Sequence, residues 1–130
     1  MFVDQETDPA QLSPLVLAYV GDAVYELYIR TKLAALPGKV NDLHRAAVEY
    51  VRAGSQAEII HDWEPLLSES EKDVVRRGRN AKSGVPRHAD AADYRYSTGF
   101  EALLGHLYLS GQEKRLLELL ERISPTTDIS

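Results

Sequence analysis

Residues 15–28 constrain this chain more than any other stretch. They are apolar apart from Asp22 and Glu26 and a single glycine, Gly21. Their apolar positions recur at helical rather than alternating spacing. The run is too short and too charged to cross a bilayer, so it belongs in a helix that is apolar nearly all round, at the centre of a core. Pro14 suits the first turn of that helix, and Pro37-Gly38 stops it.

The rest of the chain follows the same period. Asn41 or Asp42 can cap a second helix carrying Leu43, Ala46, Ala47, Tyr50 and Val51. Gly54-Ser55 marks a break, and residues 56–63 form a third piece ended by Pro65, with Trp63 as an anchor beneath that loop. Ser68 and Glu71 have capping-box spacing and open a fourth helix through Val74 and Val75. Residues 78–88 hold Gly78, Asn80, Ser83, Gly84 and Pro86 and read as a loop. Asp90 can cap a fifth helix that runs to about Ser110 and stops at Gly111. A last amphipathic helix covers residues 113–123.

No run alternates cleanly, and no repeat or linker is visible. The expected architecture is all-α, a compact helical bundle with two central apolar helices. It should form one domain over residues 1–130, with a core over about 12–123 and fraying ends. A content of 44% hydrophobic and 27% charged residues is enough to fill such a core.

The absence of cysteine excludes disulfides and thiolate metal sites. Residues 1–8 carry acids rather than a basic segment followed by an apolar one, so no signal peptide is visible. The expected setting is the cytoplasm, away from membranes.

The formal net charge is -5, which by itself disfavours a nucleic-acid partner. Its distribution favours one. Residues 76–95 hold six basic groups (Arg76, Arg77, Arg79, Lys82, Arg87, Arg95) against Asp90 and Asp93, a net +4 that leaves -9 on the remainder. An acidic body with one basic segment focuses anions onto one surface.

Asp22 in its apolar run, and Glu101 in Phe100-Glu101-Ala102-Leu103-Leu104-Gly105, are the chemical anomaly. A carboxylate in such a setting is costly unless it is paired or holds a cation. Carboxylates converging from two helices would make an oxygen-rich site of the kind that suits Mg²⁺. A metal there could activate water against a phosphodiester. The plainer reading is a half-exposed acid or an ion pair, and Arg30, four residues beyond Glu26, could supply one. Both readings stand on the pattern alone.

The stretch Arg76-Arg77-Gly78-Arg79-Asn80-Ala81-Lys82-Ser83-Gly84 offers guanidinium, ammonium, hydroxyl, amide and backbone N–H donors for phosphate oxygens. Tyr94, Arg95 and Tyr96 follow it. A solvated basic helix end, favoured by the helix dipole, explains the same residues.

Together these motifs resemble the Mini-ribonuclease III family. Ala18-Tyr19-Val20-Gly21-Asp22-Ala23-Val24-Tyr25-Glu26 is similar to the signature helix of ribonuclease III domains. Residues 77–84, residues 94–105 and Asn41-Asp42-Leu43-His44 are similar to the Mini branch. The resemblance implies the all-α endonuclease fold of ribonuclease III and a Mg²⁺-dependent homodimer that cuts double-stranded RNA, acting in 23S ribosomal RNA precursor maturation. It implies Asp22 and Glu101 as the catalytic, metal-binding acids. Arg76, Arg77, Arg79, Asn80, Lys82 and Ser83 would bind RNA, and Tyr19 would sit at the dimer seam. Leu15, Ala18 and Thr98 stand where larger ribonuclease III domains carry acids, which leaves open whether one or two metal ions are held. Glu26 and Asp42 are further outer groups. A ribosomal protein could be a partner that presents the substrate.

Two other functions fit parts of the sequence. A metal-dependent phosphohydrolase of the HD type could use His44, His61 and Asp62. A helical module could bind RNA without cutting it. His88 and His106 read as structural.

Overall fold

A computed structural model describes residues 2–4, 6–81 and 84–127. Among these, six α-helices follow one another: α1 (Pro14–Ala34), α2 (Val40–Val51), α3 (Ala53–Trp63), α4 (Glu69–Arg79), α5 (Ala91–Leu109) and α6 (Glu113–Leu120). No strand occurs among the described residues. Three helices start where a side-chain oxygen takes an orphan N–H. Ser13 accepts from Val16 at 3.2 Å, Ser68 from Glu71 at 3.2 Å and Asp90 from Asp93 at 2.9 Å. At α4 the capping box closes, because Glu71 accepts from Ser68 N–H at 2.8 Å.

α5 is the central helix, packed most extensively against α1, then α4 and α3. Phe100, Leu103, Leu104 and Leu107 are fully buried on it. Tyr25 of α1 meets Phe100 edge to face at 4.9 Å, and Trp63 of α3 meets the same ring at 5.3 Å. Trp63 is buried against α5.

Glycines allow these approaches. A Cβ on Gly21 would collide with the Glu101 carbonyl oxygen, and one on Gly105 with the Leu17 carbonyl oxygen, so α1 and α5 touch backbone to backbone. On the other side of α5, a Cβ on Gly78 would lie 2.8 Å from Gly99 Cα, and one on Gly99 would lie 2.7 Å from the Val75 carbonyl oxygen. This corrects the expected loop over residues 78–88. Gly78 is inside α4, which continues to Arg79, because the glycine serves close helix packing rather than a turn.

Other boundaries also differ. The cap of α2 is Lys39, not Asn41 or Asp42. Asp42 acts from within the first turn, accepting from Lys39 N–H at 3.4 Å. The α2–α3 break falls at Arg52, which is extended, and Gly54-Ser55 lie in the first turn of α3. α6 ends at Leu120, with Arg122 and Ile123 in turn hydrogen bonds beyond it.

The largest difference concerns α1. The helix is not enclosed on all sides: Leu15, Val16, Tyr19 and Leu27 are exposed, Tyr19 by 81% and Leu27 by 65%. Their spacing puts them along one stripe.

Candidate active site

The Gly21–Glu101 contact decides where the acids go. With α1 pressed on α5 at that point, Asp22 projects from the next position of α1 beside the side chain of Glu101. Asp22 is exposed in the single chain, so its apolar neighbours do not bury it as expected. Those neighbours divide between the core and the exposed stripe, and Asp22 lies at the boundary. Glu101 is the more enclosed of the two.

Burial pushes the Glu101 carboxyl up to about 8, and the negative charge of Asp22 and a hydrogen bond with it push the same way. Glu26, one turn along α1, adds a smaller repulsion. Without a cation the pair therefore holds a proton near neutral pH rather than two full charges.

Gln56 of α3 completes the arrangement, and no sequence signal marked it. It is 2% exposed. Its Nε2 donates to the Val51 carbonyl at 3.0 Å and lies 3.5 Å from Glu101 Oε2. Both neighbours are acceptors, which fixes the amide with nitrogen toward them. Its Oε1 is buried without a hydrogen-bond partner in the described structure.

The donor set fits a hard divalent cation: two adjacent carboxylates, both oxygen donors, whose mutual repulsion a cation would relieve. Among the described residues no group of three or more His, Asp or Glu is placed to hold a metal. A cation at Asp22 and Glu101 would keep much of its coordination for water and a substrate phosphate.

The other named residues separate into groups. Glu26 pairs with Arg30 at 3.0 Å, the ion pair that the spacing allowed. Asp42 pairs with Arg45 at 2.7 Å, which holds its carboxyl below the usual range. Arg76 pairs with Asp73, while Arg79 lies over the Tyr96 ring at 4.4 Å. Arg77 is directed elsewhere, close enough to His106 to help burial lower its pKa. Asn80 caps α4, its N–H donating to the Arg76 carbonyl at 3.0 Å. Lys82 and Ser83 lie outside the described residues. His61 packs against Tyr96 with the rings tilted, their centres 4.2 Å apart, whereas His44 lines a groove beside Arg30 and Leu33. His44, His61 and Asp62 therefore form no three-ligand group among the described residues.

Residues 15–112 match the Ribonuclease III domain family. The chain belongs to that family. It is 56% identical over 116 residues to the Mini-ribonuclease 3 of Symbiobacterium thermophilum, covering 88% of this chain and 89% of that protein. It is 58% identical over 112 residues to the Mini-ribonuclease 3 of a Thermoanaerobacter species, covering 85% and 79%. The fold is similar to the X-ray structure of a Fusobacterium nucleatum protein, with a TM-score of 0.82, 28% identity, and 90% and 95% of the two chains covered. The all-α ribonuclease III architecture and the Mini-ribonuclease 3 resemblance are thereby borne out. This ribonuclease III domain is an endoribonuclease for double-stranded RNA. No helix among the described residues is long and apolar enough to cross a membrane.

Proposed function

We propose that this domain is a Mg²⁺-dependent endonuclease that trims double-stranded regions of 23S ribosomal RNA precursor in the cytoplasm. It would act as one domain over residues 1–130 and as a homodimer. The observation that carries the reading is the Asp22–Glu101 pair, two carboxylates brought together by helix packing, whose repulsion a bound cation would relieve in place of the shared proton. Asp22 and Glu101 would hold Mg²⁺, which supplies an activated water and offsets charge on the phosphodiester.

The remaining steps belong to the chain. Gln56 holds the Glu101 carboxyl in place through Nε2. Arg76, Arg79, Asn80, Lys82 and Ser83 would bind phosphates of an A-form duplex, whose bases are hard to reach, and Arg77, turned toward His106, would meet them only from a different side of α4. The exposed stripe of Leu15, Val16, Tyr19 and Leu27 supports a second copy as its cover, with Tyr19 at the seam. A twofold dimer would present two sites, one to each strand, and release staggered ends. A ribosomal protein could present the substrate.

The test is cleavage of a labelled duplex and its single strand, with and without Mg²⁺, beside Asp22→Asn and Glu101→Gln. Duplex-only cleavage that needs Mg²⁺ and is lost in both variants, with helicity intact by circular dichroism, is expected. Duplex binding with no product at any Mg²⁺ concentration would replace this reading with a non-catalytic RNA-binding module.

A further inference from the structure

A second concave site lies away from the acids. It is a pocket of about 250 Å³ between α3, α4 and α5, lined by neither Asp22 nor Glu101, and it takes in Arg76 and Arg79 of the RNA-binding set proposed above. That size is close to the roughly 300 Å³ at which small-molecule sites begin. Its lining combines three kinds of surface. Ile60, Leu67 and Val75 are buried and form an apolar floor. Lys72, Arg76 and Arg79 bring three cations against a single carboxylate, Glu64, in a chain whose formal net charge is -5. His61 and Tyr96 bring two rings in tilted contact.

We propose that this pocket binds a nucleoside monophosphate unit, either a free nucleotide or an unpaired 5′-phosphorylated terminal nucleotide of an RNA. Arg79 is the phosphate ligand. It has no carboxylate partner among the described residues, and its guanidinium, laid on the Tyr96 ring, keeps edge N–H groups free to donate. Arg76 and Lys72 already pair with Asp73 and Glu69, but these are exposed pairs within one helix, worth little and easily exchanged for a phosphate.

Inorganic phosphate alone would leave the apolar floor and the rings unused. A base placed over that floor and against the exposed imidazole of His61 uses both. Glu64 accepts from a ribose hydroxyl or a base N–H, and its charge disfavours a polyphosphate. The combination therefore favours a monophosphate over phosphate alone and over a triphosphate. None of this depends on phosphodiester cleavage.

The experiment is calorimetric titration of the full chain in EDTA, which silences any metal-dependent cleavage. The probes are adenosine 5′-monophosphate, uridine 5′-monophosphate, adenosine 5′-triphosphate and inorganic phosphate. A second arm compares a blunt RNA duplex with one carrying a single unpaired 5′-phosphorylated nucleotide. Saturable monophosphate binding with Kd below about 1 mM is expected, with inorganic phosphate and the triphosphate each about tenfold weaker. His61→Ala and Arg79→Gln, both folded by circular dichroism, should each weaken it about tenfold. A gain from the unpaired nucleotide that His61→Ala erases assigns the site to RNA ends. Binding of the free monophosphate without that gain assigns it to a small molecule. No saturable binding in either arm, or binding indifferent to both variants, overturns the proposal.

Discussion

Gly21 and Glu101 meet backbone to backbone, so close that α1 cannot carry a Cβ at this position without meeting the Glu101 carbonyl. Elsewhere in a helix, glycine to alanine gains about 1 kcal/mol of propensity. Here the clash is with backbone that cannot swing aside, and it outweighs that gain. Gly21→Ala is expected to destabilise the fold by about 2 kcal/mol or more. It should also reduce duplex cleavage, because α1 must move off α5 and take Asp22 with it. Denaturant unfolding beside single-turnover cleavage measures both effects. A Gly21→Ala variant as stable and active as the parent would mean that the contact is not needed.

Glu101 makes stability depend on pH. Its carboxyl titrates near 4.5 when unfolded and is pushed up to about 8 in the fold. Between those values the folded chain holds a proton that the unfolded chain has released, so stability is fully present below about 4.5 and is lost as pH rises toward 8. In EDTA, the thermal midpoint of the parent should fall across this window relative to Glu101→Gln, whose amide cannot ionise. Parallel curves for the two proteins would exclude the shift. The same proton should leave when Mg²⁺ binds near pH 7. Calorimetry in buffers of different ionisation enthalpy should record release of about one proton.

The pattern marked the two acids, because a charge inside an apolar run is costly where the run packs, but it left a cation site and an ion pair equally open. Their surroundings were less legible. Asp22 looks enclosed in the sequence, but half of the apolar residues around it face outward in one chain, and periodicity alone does not separate a core stripe from an interface stripe. Gly78 reads as part of a loop because a glycine that allows a turn and a glycine that allows two helices to touch are the same letter. Gln56 carried no signal. Its burial arises from the packing of α3 on α5, and an Ala-Gly-Ser-Gln-Ala segment would suit an exposed helix equally well. Splitting Arg77 from Arg76 and Arg79 needed the helix to continue through residue 79.

Away from the acids, Glu71 links three parts of the fold. It closes the α4 capping box, and its carboxylate takes two hydrogen bonds from Arg115 of α6, each 2.8 Å, while Arg115 also donates to the Leu66 carbonyl at 2.8 Å. Glu71 is 6% exposed, so removing its partner strands an enclosed charge. Arg115→Ala should cost about 2–3 kcal/mol, and Arg115→Lys should recover only part, since an ammonium cannot reproduce the fork. The hydrogen bonds from Arg115 hold the Glu71 carboxyl below its usual range. This contribution is present above the ordinary glutamate pKa and is lost as pH falls through the folded value. The stability advantage of the parent over Glu71→Gln should therefore shrink as pH falls through that range, and acid titrations of the two proteins measure it.

Leu27 gives the sharpest test of the stripe on α1. It is 65% exposed in the single chain, so lysine there should leave the fold of one chain within about 0.5 kcal/mol of the parent. If a second copy covers Leu15, Val16, Tyr19 and Leu27, the same substitution buries an unpaired ammonium in an apolar interface, and the dimer should not form. Light scattering should then give the mass of one chain for Leu27→Lys and of two for the parent. Duplex cleavage should drop at least tenfold, and staggered double cuts should give way to single nicks. A parent that runs as a single chain, or a Leu27→Lys protein that remains a dimer, would show that the stripe is covered by something other than this contact.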